Sequence, residues 1–102
     1  MREPTFHLLA AMLDGPLHGY GIIKRAHSLS AGRVRLAAGT LYAALDRLRD
    51  AGLVEVDREE VVDGRARRSY RLTDAGRRAL HVEADRMAAA ARVVLERAEA
   101  RP

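Results

Sequence analysis

"VVDGRARRSYRL", residues 61–72, decides how this chain is read. Asp63-Gly64 stands between two runs in which apolar and polar side chains alternate. That dipeptide is the strongest local signal for a hairpin closed by a two-residue turn, because both turn positions need a left-handed backbone. The predicted strands cover residues 53–60 and 67–72. The arm leading in, from Leu53, carries Glu55, Asp57, Glu59, Glu60 and Asp63 against Arg58 alone. The arm leading out carries Arg65, Arg67, Arg68 and Arg71 and no acid. A hairpin with one arginine-loaded arm calls for an anionic partner, and the acids of the first arm are placed to pair with part of that charge across the ladder.

Working upstream, Leu41, Leu45 and Leu48 repeat at four and three residues with Ala44 beside them, which predicts an amphipathic helix from Ala38. Ala51-Gly52 stops it, glycine suiting the left-handed position after a helix end. The opposite face carries Thr40, Tyr42, Ala43, Asp46, Arg47 and Asp50. Residues 33–36, "RVRL", alternate like a very short strand. A further helix is expected over residues 18–29, with Ile22, Ala26 and Leu29 on its inner stripe and Lys24, Arg25 and His27 away from it. The turn cluster Asp14-Gly15-Pro16 separates it from an apolar segment, residues 6–13, read as a short buried helix with Pro4 in its first turn and Thr5 as cap. Downstream, Thr73-Asp74 caps a final helix reaching about residue 97, ~36 Å long at 1.5 Å per residue.

Two helices with a short connection, the second amphipathic and followed at once by a hairpin, describe a winged helix-turn-helix. The fold class is therefore mainly α with a small β-hairpin, with a long C-terminal dimerisation helix added. In such a unit the exposed face of the second helix enters the major groove, while the hairpin lies along the backbone or minor groove, where arginine is favoured. Candidate DNA-contacting residues are Lys24, Thr40, Tyr42, Arg47, Arg65, Arg67 and Arg68, with Arg33 and Arg35 weaker ones. Tyr42 adjoins core Leu41, so half of its ring can be buried and still leave its hydroxyl for phosphate.

The strings "GPLHGYGI" (15–22), "GTLY" (39–42), "LDRLRDAGL" (45–53) and "YRLTDAG" (70–76) are similar to those of the PadR family of bacterial transcriptional regulators, over about residues 8–80. The resemblance implies a dimeric winged-helix repressor on a near-palindromic operator, with the family's DNA-contacting Thr and Tyr falling on Thr40 and Tyr42 and its basic wing on residues 65–68. The chain departs from the usual pattern at Ala37-Ala38 and Ala43, where Ser-Pro and Pro are common. Without a hydroxyl at Ala37 the helix start loses ~1 kcal/mol of capping. The short C-terminus resembles the compact branch of the family, whose members hold aromatic or drug-like compounds between subunits.

Leu80, Ala84, Met87, Ala91, Val94 and Ala98 repeat at heptad spacing, and Val82, Ala90, Val93 and Leu95 widen the apolar surface. A three-helix core cannot cover so long a helix, so part of this surface is expected to meet a second copy, helped by Phe6 and Leu9 of the first helix. Residues 1–73 are read as the DNA-binding domain and 74–102 as the dimerisation helix. An effector pocket, if formed, would be aliphatic, lined by Met12, Met87 and Val94, because the chain has no Trp, three Tyr and one Phe. The effector would be small and hydrophobic.

The bulk properties agree. The 102 residues, 48% hydrophobic and 31% charged, fit one globular domain, and the net charge of +4 favours an anionic partner. There is no cysteine, which excludes disulfides and thiolate metal sites. The four histidines are dispersed with no carboxylate at ligand spacing, so neither a metal nor a cofactor is expected. No nucleophile elbow or phosphate loop is present, and no enzyme activity is expected. No apolar run approaches the ~18 residues of a membrane span, and a cytoplasmic location is expected. Two alternatives from other classes stay open at this level: a winged-helix protein-interaction adaptor, and a small-molecule carrier built on the dimer cavity.

Overall fold

The computed structural model describes residues 1–99. Its elements are α1 (Glu3–Ala10), β1 (Leu17–His18), α2 (Gly19–Leu29), α3 (Ala38–Asp50), β2 (Val54–Val62), β3 (Arg65–Leu72) and α4 (Asp74–Glu99). The last three residues of the expected dimerisation segment, 100–102, lie outside this description.

α3 forms where its period is clearest. Leu41, Ala44, Leu45 and Leu48 are buried on one face, and the helix starts at Ala38 with no side-chain cap from Ala37. It ends in a Schellman motif: Gly52 has φ +77°, Leu53 N–H donates to Leu48 O at 2.9 Å, and Gly52 N–H donates to Arg49 O at 2.9 Å. α2 buries Ile22 and Ala26. Leu29, expected on the same stripe, is exposed, because the helix stops at Ser30 beyond the last core neighbour, and it lines a groove with Phe6 and Met87 instead. α1 starts two residues earlier than the cap assigned to Thr5. Arg2 is extended, and Glu3 and Pro4 make up the first turn, where an acid suits the positive end of the helix dipole.

The hairpin is longer at its tip than the alternation suggested. Pairing continues to Val62↔Arg65 around Asp63-Gly64, whose φ values of 51° and 75° are the left-handed pair that a type I′ turn demands. Asp57 is the extra residue of a bulge, since Val56 and Arg58 face the consecutive residues Tyr70 and Ser69.

The third strand is not residues 33–36. Leu17 and His18 pair antiparallel with Tyr70 and Ser69, giving the order β1-β3-β2. Residues 33–37 are irregular: Val34 is buried, and its N–H is satisfied by the Ser30 hydroxyl at 2.8 Å rather than by a strand.

α4 begins where Thr73 joins three segments. Its hydroxyl donates to Gly52 O at 2.6 Å and accepts from Gly76 N–H at 3.0 Å, while its own N–H donates to Leu53 O at 3.1 Å. Gly76 lies against that same carbonyl, so close that a Cβ there would be 1.9 Å from Leu53 O. The core gathers Leu8, Leu9, Met12, Ile22, Leu41, Leu45, Val54, Tyr70, Leu72 and Leu80. From Asp85 to Ala98 every residue of α4 is exposed. The radius of gyration, 16.0 Å, exceeds the ~13 Å of a compact chain this long, and the longest dimension is 64 Å.

Candidate nucleic-acid interface

Thr40, Ala43 and Arg47 lie at helical spacing along one exposed face of α3, with Tyr42 on the neighbouring column. Tyr42 is 47% exposed because its phenol lies across the start of α2. A Cβ at Gly19 would stand 2.6 Å from the Tyr42 hydroxyl oxygen, so glycine there makes room for the ring. The hydroxyl is thereby aimed by a backbone contact rather than left to swing. Neither α2 nor α3 has a side-chain cap or an acid in its first turn.

The start of α2 is fixed to the hairpin as well. His18 precedes the helix, pairs with Ser69 in β3, and places its Nε2 3.3 Å from Glu60 Oε1 in β2. One short stretch, residues 17–19, thus joins the exposed face of α3 to the wing. This junction was not legible in the sequence, since a two-residue strand has no period to detect.

The four arginines of β3 differ. Arg68 donates from Nε to Glu59 Oε1 at 2.7 Å, and this hydrogen bond holds its pKa above the ordinary value for arginine. Arg71 donates to Glu55 at 2.8 Å and lies 3.7 Å from Asp57. The expected pairing of the acidic arm with the basic one is therefore present, in the half of the hairpin nearer the body. Arg65 and Arg67, nearer the tip, are exposed and have no ion-pair partner among the described residues. The weaker candidate Arg33 turns toward α1, where it donates to Glu3 at 3.1 Å, whereas Arg35 is exposed. Lys24 is exposed on α2 with its ammonium 5.6 Å from the ring centroid of Tyr20, a residue the sequence reading did not single out. The i,i+4 spacing of Tyr20 and Lys24 was the available signal.

The second set of candidates divides by burial. Leu9 and Leu80 are 0% and 3% exposed, inside the chain's own core, so their side chains offer no surface to a partner. Apolar period alone does not say whose core a residue joins. Phe6 and Ala84 are half-buried, and Met87, Ala91, Val94 and Ala98 are exposed. Met12, expected to line an effector pocket with Met87 and Val94, is 1% exposed beneath α1 and does not share their surface. Within the apolar run 6–13, Leu8, Leu9, Ala11 and Met12 are spent on core packing.

A helix pair with an exposed second helix and an arginine-tipped hairpin is a winged helix-turn-helix, a DNA-binding class. The chain belongs to the transcriptional regulator PadR-like family, which it matches over residues 8–82. It is 43% identical over 89 residues to the transcriptional regulator Rv3488 of Mycobacterium tuberculosis, covering 87% of this chain and 79% of that protein. Among solved structures it is similar to Bacillus subtilis PadR in complex with operator DNA, with a TM-score of 0.68 and 25% identity over 78% of this chain. This chain spans only 46% of that one. A PadR family regulator from Clostridium difficile R20291 shares the fold over 93% of this chain and 97% of its own length, with a TM-score of 0.76 and 21% identity. The protein is thus a DNA-binding transcriptional regulator of the PadR type.

Proposed function

We propose that the protein is a homodimeric repressor that occupies a near-palindromic operator in the cytoplasm and is released by a small hydrophobic effector. The observation that carries the DNA contact is the pair of unneutralised arginines, Arg65 and Arg67, held by a closed hairpin that is tied through residues 17–19 to the exposed face of α3. Thr40, Tyr42 and Arg47 meet base edges and phosphates of the major groove, and the wing follows the flanking backbone. Arg68 joins only by exchanging Glu59 for a phosphate.

The dimer is supported by the stem of α4. Residues 87–95, "MAAAARVVL", have Arg92 as their one polar side chain, and all nine are exposed. A helix apolar on every side is normally surrounded by protein. A second copy laid against Met87, Ala91 and Val94, and reaching the groove beside Phe6, supplies that cover. Two-fold pairing then presents two copies of α3 to one side of a duplex. An effector seated between the stems would meet aliphatic walls around Met87 and Val94, and binding there would shift the spacing of the two reading units.

Footprinting on DNA from the protein's own source tests this reading. Two protected half-sites about 10 bp apart centre to centre, or a multiple of that, are expected. Affinity should fall steeply with salt, on the order of several released counterions. A single unrepeated half-site would remove the dimer, and salt-insensitive binding would remove the DNA contact. A candidate effector should raise the melting temperature and release the duplex at the same concentrations.

A further inference from the structure

Four aromatic side chains serve the whole chain, and Tyr20 is the most exposed of its tyrosines at 69%. A tyrosine this open covers little core. It sits one residue after Gly19, where the Tyr42 phenol crosses the start of α2, and two after His18, which is bonded into the wing. Tyr20 therefore stands between the two arms of the DNA-facing surface. One turn further, Lys24 lies over its ring, the cation attracted to the negative face of the aromatic system. That contact fixes both side chains without using their hydrogen-bonding groups. The phenol keeps its O–H and the ammonium its N–H donors, and no carboxylate neutralises Lys24 among the described residues. Two free donors, one of them charged and both ordered by the same contact, fit a single oxyanion of a phosphodiester.

We propose that Tyr20 and Lys24 form a clamp for one DNA backbone phosphate, between the groove-reading face of α3 and the wing. Tyr20 donates a neutral hydrogen bond and Lys24 supplies the charge. The contact reads no base, so it sets register and affinity rather than sequence preference. The proposal rests on the DNA-binding reading above and adds to it a residue on α2.

The test uses the full chain and a random-sequence duplex. Tyr20→Phe removes one hydroxyl and should weaken binding about threefold to tenfold with an unchanged salt slope. Lys24→Gln should weaken binding and reduce that slope by about one. Both residues are exposed, so melting temperatures should match the parent chain. Lys24 is also the chain's only lysine. An amine-acetylating reagent followed by peptide mass spectrometry therefore reports on it directly, and duplex should protect it. If both variants bind like the parent while Arg65→Ala with Arg67→Ala weakens binding, the clamp is overturned and the DNA reading stands. Acetylation of Lys24 at equal rates with and without bound duplex would overturn it as well. Failure of the parent chain to bind any duplex would overturn both.

Discussion

At the scale of single residues, the surface is tuned by neighbours that do not themselves touch DNA. Glu59 holds Arg68, so a phosphate would have to displace this carboxylate to reach the guanidinium. Glu59→Gln should free it, tightening binding to any duplex by about threefold and steepening the salt slope by about one, read by fluorescence anisotropy across salt. Gly19→Ala should act differently. Alanine suits a helix better than glycine by up to about 1 kcal/mol, so stability should hold or rise. The new methyl group would push the Tyr42 phenol aside, and discrimination between operator and random duplex should fall. Unchanged discrimination would take Tyr42 out of the base-reading set. The charge asymmetry of the two strands was legible because it is local. Which arginine is spoken for was not, because that depends on a cross-strand register shifted by the bulge at Asp57.

At the scale of elements, legibility followed sequence distance. The turn at Asp63-Gly64, the end of α3 at Gly52 and the cap of α4 at Thr73 are each specified within a few residues, and each stands where the sequence put it. β1 was missed because its two residues become a strand only through Tyr70 and Ser69, some fifty positions away, while the alternation at residues 33–36 pairs with no strand of the sheet. Gly76 shows how tightly the elements meet. Its missing Cβ is what lets α4 begin against the Leu53 carbonyl, and a backbone atom cannot rotate away. Gly76→Ala should cost about 3 kcal/mol or more in urea unfolding, against the usual gain of alanine in a helix. A neutral result would mean that the junction of α3, β2 and α4 is looser than its hydrogen bonds imply.

At the scale of the whole molecule, the stem of α4 and its root behave as separate parts. The heptad pattern runs through both, yet Leu80 is packed within the chain and Val94 is bare, because a three-helix core ends before the helix does. Met87→Glu should give a folded monomer by light scattering; a persistent dimer would mean that another surface pairs the chains. At the root, a hydrogen bond from Arg86 holds the Glu83 carboxyl below the ordinary carboxylate range. The folded state thus binds fewer protons than the unfolded one. Its contribution is present above the unfolded value of about 4.3 and is lost as pH falls through the lower folded value. The urea midpoint should therefore fall more steeply on acidification in the parent chain than in Glu83→Gln. The strand order has a last consequence, for behaviour in crowded solution. β2 forms the outer margin of the sheet, and its unpaired backbone groups could template a foreign strand. The bulge at Asp57 interrupts that margin, and the charged side chains of Glu55, Asp57, Glu59 and Glu60 along it disfavour edge-to-edge pairing.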